Sequence, residues 1–360
     1  MKKFIIAEAG SNHNGDIEKA FQLVDIAKKV NADSVKFQFI YADGLYLPEY
    51  NLNSKCFKSG VHQKRKKEEL SDDEWKKVWD YSKNIGIDIS ASVFCTRGVS
   101  LLKNLGCTYV KIASTDLTNH KLIKEVSQNF DHVLISTGMS SLDEISDSVN
   151  CAKRSNSNRN LKLMHCVSLY PCPFKNSNLS RINELQNKFG LEVGYSDHTE
   201  DIRSAILASA KGVDLFEKHF TYDKSQAGFD HAHAQDPTEL MLYIKTLNEC
   251  NDADKWTESK ADQEAGEGIT KIRARRGVYI SKDLPSGHLV KEDDLLYVRP
   301  STSFMCTDPD EFIGLRVHKS IKKYTAIGIK SDLVVEVSSN WSAANDFWEE
   351  EMKEKNMDNN

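Results

Sequence analysis

The sequence predicts an α/β fold: a (β/α)8 TIM barrel over residues 1–250, followed by a small β-rich domain. Eight short apolar segments alternate with amphipathic helical stretches along residues 4–220. Alternation of this kind is typical of parallel sheets, and eight βα units in about 250 residues describe a barrel. The composition then changes: residues 251–275 are polar, and short β-like runs with turn residues follow from Arg276.

The predicted strands are apolar runs bounded by polar or turn residues. They cover residues 4–8, 34–38, 88–94, 109–114, 132–137, 161–168, 191–196 and 214–220. The stretches 17–30 and 71–86 between them have helical periodicity, and Ser71 with Glu74 predicts a capping box at the start of the second. A doubly wound open sheet is the alternative, but EAGSNHNGD follows the first strand where such sheets commonly carry G-x-G-x-x-G.

The remainder of the chain is divided by composition. Residues 251–275 are polar and carry no strand pattern, which predicts a linker. Residues 276–335 alternate short β-like runs with turns and predict the second domain. The polar and acidic residues 336–360 predict a partly disordered tail.

Charge and composition narrow the class of protein. A net charge of −5 argues against a nucleic-acid partner. The chain has no apolar run near the roughly 18 residues of a membrane span, and the apolar start Phe4–Ala7 is too short for a signal peptide. Eight cysteines without a C-x-x-C pair indicate reduced thiols. A cytoplasmic protein is expected.

Polar side chains cluster where the predicted strands end. In a TIM barrel, functional side chains project from the carboxyl ends of the strands, and a purely structural barrel does not need polar groups at each of these positions. The residues at these ends are Glu8, Lys36, Gln38, Ser92, Lys111, Ser114, Asp116, Ser136, Ser168, Tyr170, Ser196, His198, Glu217 and His219.

Two lysines within apolar strands predict an anion site. Lys36 and Lys111 supply point charges, and the neighbouring serines supply the hydroxyl groups of a phosphate or carboxylate cradle. The simpler explanation for a single lysine is that its head group reaches solvent along an apolar stem. Two lysines with serines beside them favour binding of an anionic ligand.

The segment LFEKHFT (215–221) places three ionisable residues in an apolar strand. His219 and His198 come from neighbouring strands, which lie about 4.8 Å apart, so the two imidazoles can share one metal ion. Glu217 lies on the same strand face as His219 and is expected to point into the site. Lys218 is expected to face the helices, with its head group reaching water.

Seven motifs occur in a family-specific order: AEAGSNHNGD, VKFQ, KIAS, STGM, MHCVSLYPCPF, GYSDHT and FEKHFT. In this order they resemble the N-acetylneuraminate (sialic acid) synthase family, whose relatives make legionaminic and pseudaminic acids and include spore-coat polysaccharide synthases. The resemblance extends over residues 4–333. Within it, the C-terminal region is similar to the family's antifreeze-like (SAF) domain.

The resemblance implies a condensation of phosphoenolpyruvate with the aldehyde of an N-acylated amino sugar, such as N-acetylmannosamine or a diacetamido sugar. Water is consumed, phosphate leaves by C–O cleavage, and a nine-carbon 2-keto acid forms. It also implies a divalent metal, typically Mn²⁺ with Mg²⁺ or Co²⁺ as alternatives, held by His198 and His219. Glu8, Lys111 and these two histidines are then the catalytic residues, with Glu8 either an acid/base or a group that positions the sugar.

The resemblance also implies the substrate contacts. Those to phosphoenolpyruvate are Lys36, Lys111, Ser92, Ser114, Ser136, Ser168 and Ser196. Those to the sugar are Gln38, Phe94, Asp116, Tyr170 and Asp230. Arg299, in YVRP, is implied to reach the sugar's acyl group from the partner subunit, in a homodimer with swapped SAF domains.

The chain departs from the family pattern mainly around the sugar. Thr115 and Asp116 replace a usual glycine and a frequent glutamate, and Phe229 stands where proline is usual. His231 and His233 are expected to add polar groups near the sugar. These departures leave the chemistry intact and the identity of the sugar open.

Three other functions compete with this interpretation. A sister phosphoenolpyruvate-dependent 3-deoxy-ulosonate phosphate synthase would take a phosphorylated aldose and would need no SAF domain. A non-catalytic carbohydrate-binding protein would not need the two lysines and two histidines. A metal-dependent hydrolase barrel usually carries an H-x-H on its first strand, and Asn12–His13–Asn14 does not supply one.

Overall fold

The computed structural model describes residues 3–53, 55–155, 160–253, 267–302 and 308–342, together with 345, 346 and 349. The chain divides into two compact units, Met1–Asp254 and Lys255–Asn360. The boundary between the units falls inside the predicted linker. Most of the predicted tail lies outside the described residues.

The first unit is a closed barrel of eight parallel strands, as the sequence predicts. Each strand pairs with the next, and the last pairs with the first, in the order β1-β10-β9-β8-β7-β6-β5-β2. The barrel strands are β1 (Phe4–Gly10), β2 (Ser34–Phe39), β5 (Asp88–Val93), β6 (Val110–Ile112), β7 (His132–Ser136), β8 (Asn160–His165), β9 (Val193–Asp197) and β10 (Leu215–His219). Closure rules out the open doubly wound sheet.

Helices follow the strands and cover the barrel. They are α1 (Ile17–Lys29), α2 (Ala42–Leu45), α3 (Gly60–Lys67), α4 (Asp72–Ile85), α5 (Thr96–Leu105), α6 (His120–Asn129), α7 (Leu142–Ser155), α8 (Ser180–Phe189), α9 (Arg203–Ala210) and α10 (Pro237–Ala253). The predicted capping box is present at the start of α4, where Ser71 Oγ accepts from the Glu74 backbone N–H and the Glu74 carboxylate accepts from the Ser71 backbone N–H. Gly86 ends this helix in the left-handed conformation, with φ 73°.

An insertion between β2 and α4 was not predicted from the sequence. It contains α2, an antiparallel pair β3 (Glu49–Leu52) and β4 (Lys55–Lys58), and α3. The residues of both strands are exposed, and their alternation of polar and apolar side chains is too short to stand out in the sequence. Helix α3 carries a basic stretch, Lys64–Lys67, of which Arg65 is the buried residue.

The second unit has a small core of its own. It contains helix α11 (Glu267–Ala274), the antiparallel pair β11 (Gly277–Ile280) and β12 (Leu295–Val298), and a three-stranded sheet of β13 (Arg316–Val317), β14 (Ile327–Lys330) and β15 (Leu333–Glu336). Val278, Phe312, Ile327 and Val334 are buried at its centre. The β-rich character predicted for this region is confirmed, and α11 and the end of α10 occupy the described parts of the predicted linker.

Candidate active site

A cavity of about 480 Å³ opens at the carboxyl ends of the barrel strands. A larger cavity, about 600 Å³, lies at the opposite end around Phe4, Ile6 and Leu134, but its lining is mainly apolar. The cavity at the carboxyl ends of the strands contains the buried lysines, glutamates and histidines. Active sites of TIM barrels lie at this end. The lining of this cavity contains the predicted residues Glu8, Lys36, Gln38, Ser92, Phe94, Lys111, Ser114, Ser136, Ser168, Tyr170, Ser196, His198 and His219.

Two buried lysines and two buried carboxylates form one connected network on the floor of the cavity. Lys36 Nζ lies 2.5 Å from Glu8 Oε2 and 3.5 Å from Glu217 Oε2. Lys111 Nζ donates to both oxygens of Glu217, at 2.9 and 2.8 Å. Gln38 Nε2 donates to the other oxygen of Glu8 at 3.0 Å. The charges face each other because the strands bring residues distant in sequence to the same level of the barrel.

The two carboxyl groups differ in their proton affinity. Burial raises the pKa of Glu8 to about 7, and attraction to Lys36 only partly opposes this. Burial also tends to raise the pKa of Glu217, but attraction to Lys111 and Lys36 outweighs it and holds that pKa well below its usual value. At neutral pH, Glu217 is therefore a permanent carboxylate, whereas Glu8 can exchange a proton.

Hydroxyl groups line the wall beside the lysines. Lys36 Nζ donates to Ser92 Oγ at 2.9 Å, and Ser196 Oγ donates to Glu217 at 2.8 Å. Ser114 Oγ accepts from the Gly138 backbone N–H at 3.1 Å. A Cβ atom on Gly138 would lie only 2.4 Å from Ser168 Oγ, so a glycine is needed for this close approach. The structure thus brings these hydroxyls close to the lysines, at the position where the sequence predicts an anion site.

His198 presents one ring nitrogen to the cavity. Its Nδ1 lies 2.7 Å from the Val167 carbonyl oxygen, and because a carbonyl can only accept, Nδ1 carries the proton. Nε2 therefore holds a lone pair, and it lies 3.3 Å from Ser196 Oγ. Burial lowers the pKa of His198 to about 4, so the ring is neutral at neutral pH. This is the tautomer and charge state of a metal-binding imidazole.

A second group of ligand atoms lies next to His198. The rings of His198 and His219 are 5.5 Å apart between centroids, so the two predicted metal ligands are neighbours. His219, Asp230 and His233 each offer one ligand atom, and the three atoms lie within 4.8 Å of one another. The residues present therefore fit a divalent cation at this end of the barrel.

Two predicted sugar contacts and the predicted partner contact lie outside the described cavity lining. Asp116 is buried in the turn after β6, where it accepts from Asn119 and Thr115 at 3.1 and 3.0 Å. Asp230 lies in the loop after β10. Arg299 is exposed and belongs to the second unit.

The expectation for Lys218 is wrong. Its side chain does face away from the cavity, but only 2% of it is exposed, and its head group does not reach water. Lys218 Nζ donates to the Thr199 carbonyl oxygen and lies 3.2 Å from Asp197 Oδ2, with the Tyr243 ring nearby. A buried ion pair behind the strands explains why a charged residue is tolerated there.

The expectation for His231 is also wrong, since its ring is fully buried behind the loop. His231 Nδ1 lies 2.6 Å from Thr221 Oγ1, and Nε2 lies 3.1 Å from Asn14 Nδ2. His231 therefore holds the loop in place. The sequence alone could not distinguish the roles of His231 and His233, because the direction in which each side chain points depends on the path of the loop backbone.

Arg65 lines the cavity and was not predicted as a site residue. It comes from helix α3, and its Nη1 donates to Ser11 Oγ at 2.8 Å. Its guanidinium lies 3.6 Å from the centre of the Phe229 ring. The sequence hid this role because Arg65 sits in a run of basic residues that looks like an ordinary solvated helix. Other lining residues outside the predicted set include Tyr46, Met139 and Cys166.

Comparison with known proteins identifies the family. The NeuB family matches residues 23–258 of this chain. The chain belongs to the NeuB family. The N,N'-diacetyllegionaminic acid synthase of Campylobacter jejuni is 33% identical over 330 residues, covering 90% of this chain and 98% of that protein. The N-acetylneuraminate-9-phosphate synthase of Mus musculus is 32% identical over 251 residues, covering 68% of this chain and 69% of that protein.

A solved structure supports the fold assignment. The crystal structure of N-acetylneuraminic acid (sialic acid) synthetase from Leptospira borgpetersenii, in complex with citrate, aligns with a TM-score of 0.65 at 29% identity. The alignment covers 75% of this chain and 92% of that one. Within the part of the chain that is described, no helix has the length and apolar character needed to cross a membrane.

Proposed function

We propose that this protein is a nonulosonic acid synthase that condenses phosphoenolpyruvate with an N-acylated amino sugar and releases phosphate. The observation that carries the proposal is the network of Lys36, Lys111, Glu8 and Glu217 at the base of a hydroxyl-lined cavity. Relatives over most of the chain length are named as synthases of such acids. Phosphoenolpyruvate carries a phosphate and a carboxylate, which match the two ammonium groups and the serine hydroxyls.

The raised pKa of Glu8 allows this carboxyl group to lose its negative charge when an anionic substrate binds. Both lysines are already paired with carboxylates, so a bound anion competes with Glu8 for Lys36. Because the pKa of Glu8 is about 7, the carboxyl group can take up a proton as the substrate arrives, at little cost near neutral pH. Lys36 is then free to contact the substrate while Glu217 still holds Lys111.

The reaction forms one carbon–carbon bond and breaks one carbon–oxygen bond. C3 of phosphoenolpyruvate attacks the aldehyde carbon, and protonated Glu8 donates its proton to the aldehyde oxygen. The carboxylate of Glu217 faces the positive character that develops at C2. Water then adds to C2 and gives a proton back to Glu8. The C2–O bond to phosphate then breaks, the C2 hydroxyl group passes its proton to the departing phosphate, and the keto group forms.

A divalent metal completes the proposed site, and Mn²⁺ is the ion we propose. His198 and His219 would hold it, since their rings are adjacent and burial lowers the pKa of each, which keeps both neutral at neutral pH. When bound, such an ion polarises a carbonyl oxygen as a Lewis acid. Gln38, Phe94, Tyr170 and the remaining lining residues then orient the sugar.

We further propose that the active protein is a homodimer in which the second unit of one subunit covers the barrel of its partner. Arg299 follows β12 and is exposed, so its guanidinium is available to another molecule. Arginine suits recognition of an amide carbonyl because it stays charged and donates from a planar fork. We propose that this unit is the SAF domain that the family resemblance implies.

The test is phosphate release from phosphoenolpyruvate with a panel of aldehyde substrates. N-acyl mannosamines and diacetamido sugars should support release, whereas phosphorylated aldoses without an N-acyl group should not. A preference for a phosphorylated aldose would instead indicate the sister 3-deoxy-ulosonate phosphate synthase. Failure of every sugar to support release, with intact phosphoenolpyruvate binding, would favour a non-catalytic role.

A further inference from the structure

The loop after β10 carries ligand-type residues that the predicted histidine pair does not use. Asp230 precedes a single 3₁₀ turn, His231–His233, whose last residue is His233, and both side chains approach His219. His219 Nδ1 lies 4.0 Å from Asp230 Oδ2, and His233 Nε2 lies 3.8 Å from Asp230 Oδ1. These distances are too long for hydrogen bonds.

Two imidazole nitrogens in this group are buried and have no hydrogen-bond partner among the residues that the structure describes. This holds for His219 Nδ1 and for His233 Nε2, whose side chains are only 9% and 10% exposed. A buried polar atom without a partner costs about 1–3 kcal/mol, so such atoms call for an explanation. Two of them facing one carboxylate are explained together if a cation lies between them.

The spacing fits a shared ion. Two ligand atoms that each lie about 2.1 Å from a metal are at most about 4.2 Å apart. The separations of 4.0 and 3.8 Å, each to a different oxygen of Asp230, meet this limit, and one ligand atom from each of the three residues lies within 4.8 Å of the other two. Two imidazoles and one carboxylate are a set that binds divalent transition metals and leaves positions open.

The loop is held in the conformation that presents these ligands. The buried ring of His231 contacts Thr221 and Asn14, and a Cβ atom on Gly228 would lie only 2.4 Å from that ring. On the other side, the Tyr170 ring packs 5.0 Å from His233 and 4.2 Å from His198 between centroids. The position of His233 is therefore set by its neighbours before any ion binds.

We propose that Asp230 and His233 are ligands of the divalent metal together with His219, the member of the predicted histidine pair that they face. The family pattern implies only the two histidines, so this protein would surround its ion with a fuller set of protein ligands. The inference rests on the proposed function only in requiring a divalent metal. It assigns Asp230 to the metal rather than to the sugar.

Metal binding to the protein without substrates tests the proposal directly. Isothermal titration with Mn²⁺ would compare the wild type with His233→Phe, which keeps a ring against Tyr170 but has no ligand nitrogen, and with Asp230→Asn. The matched control is His132→Ala, because His132 is an exposed histidine at the opposite end of the barrel. Circular dichroism would confirm that each variant folds.

We expect the Kd for Mn²⁺ to rise at least about tenfold in His233→Phe and Asp230→Asn and to stay unchanged in the control. Electron spin echo measurements on bound Mn²⁺ should also detect fewer coupled histidine nitrogens in His233→Phe than in the wild type. An unchanged Kd and an unchanged nitrogen count in His233→Phe would overturn the proposal, as would a wild type that binds no Mn²⁺. Phosphate release is measured separately, so failure here leaves the proposed synthase reaction to its own test.

Discussion

Removing the charge of Glu217 should destabilise the barrel strongly, because this carboxylate is the counter-ion of Lys111 and, beside Glu8, also lies close to Lys36. Its side chain is 5% exposed, and those of Lys36 and Lys111 are 2% exposed. In Glu217→Gln, the amide keeps the size of the side chain and one acceptor oxygen. Lys111 then loses its counter-ion, and the two lysines repel each other across the floor of the cavity.

The magnitude follows from the distances. At 2.8 Å and an effective dielectric constant of about 20, the attraction between Lys111 and Glu217 is about 6 kcal/mol before desolvation is subtracted. Removing one partner of a buried ion pair costs about 3–5 kcal/mol. Because Glu217→Gln keeps one acceptor oxygen, we expect a loss at the lower end of this range, about 3 kcal/mol in the free energy of unfolding. This corresponds to a change on the order of a hundredfold in the unfolding equilibrium constant.

The assay is urea unfolding at pH 7.5, with hydrogen exchange of peptides from β6 and β10 to confine the measurement to the barrel. Glu217→Gln combined with Lys111→Met removes both charges, and its loss should fall short of the sum of the single losses by about 2 kcal/mol. Glu184→Gln is the control, since its pair with Arg181 is on the surface and is worth at most about 1 kcal/mol. Stability of Glu217→Gln within about 0.5 kcal/mol of the wild type would refute the reasoning.

Three other outcomes follow from the proposed site. Burial raises the pKa of Glu8 to about 7, and the protonated form is the acid, so kcat/KM should fall as pH rises through 7. The pH–rate profile of Glu8→Gln should lack this fall. EDTA should abolish phosphate release, and Mn²⁺ should restore it. His198→Ala should raise the Mn²⁺ concentration needed for half-maximal activity. Full activity in metal-free protein would contradict the proposed metal dependence. Mixing inactive His219→Ala and Arg299→Ala subunits under exchange should return about a quarter of wild-type activity if the second units are swapped, and none if each unit covers its own barrel.

The barrel and most of its rim could be predicted because the relevant signals are local. An apolar run in the sequence indicates a strand, and the two-residue period of a strand then places Lys36 and Gln38 on the same face. The rule that functional groups lie at the carboxyl ends of barrel strands then predicts which side chains line the site. Glu8, Ser136 and His219 were found in this way without any knowledge of their partners.

The partners themselves could not be predicted, because they depend on how distant segments meet. Lys111 and Glu217 are 106 residues apart, and only the closed barrel brings them to hydrogen-bonding distance. Arg65 reaches the cavity from an insertion whose path the sequence does not reveal. His231 and His233 look equivalent in GFDHAHAQDP, yet one is fully buried behind the loop and the other faces the ligand cluster.

The central claim is most directly tested with phosphoenolpyruvate that carries ¹⁸O at the bridging position between C2 and phosphorus. The proposed reaction breaks the C2–O bond, so the account predicts that the label appears in inorganic phosphate, and only when an N-acylated amino sugar is present. Label retained in the organic product would show that the P–O bond had broken. That result, or release of phosphate at the same rate without a sugar, would contradict the proposed condensation.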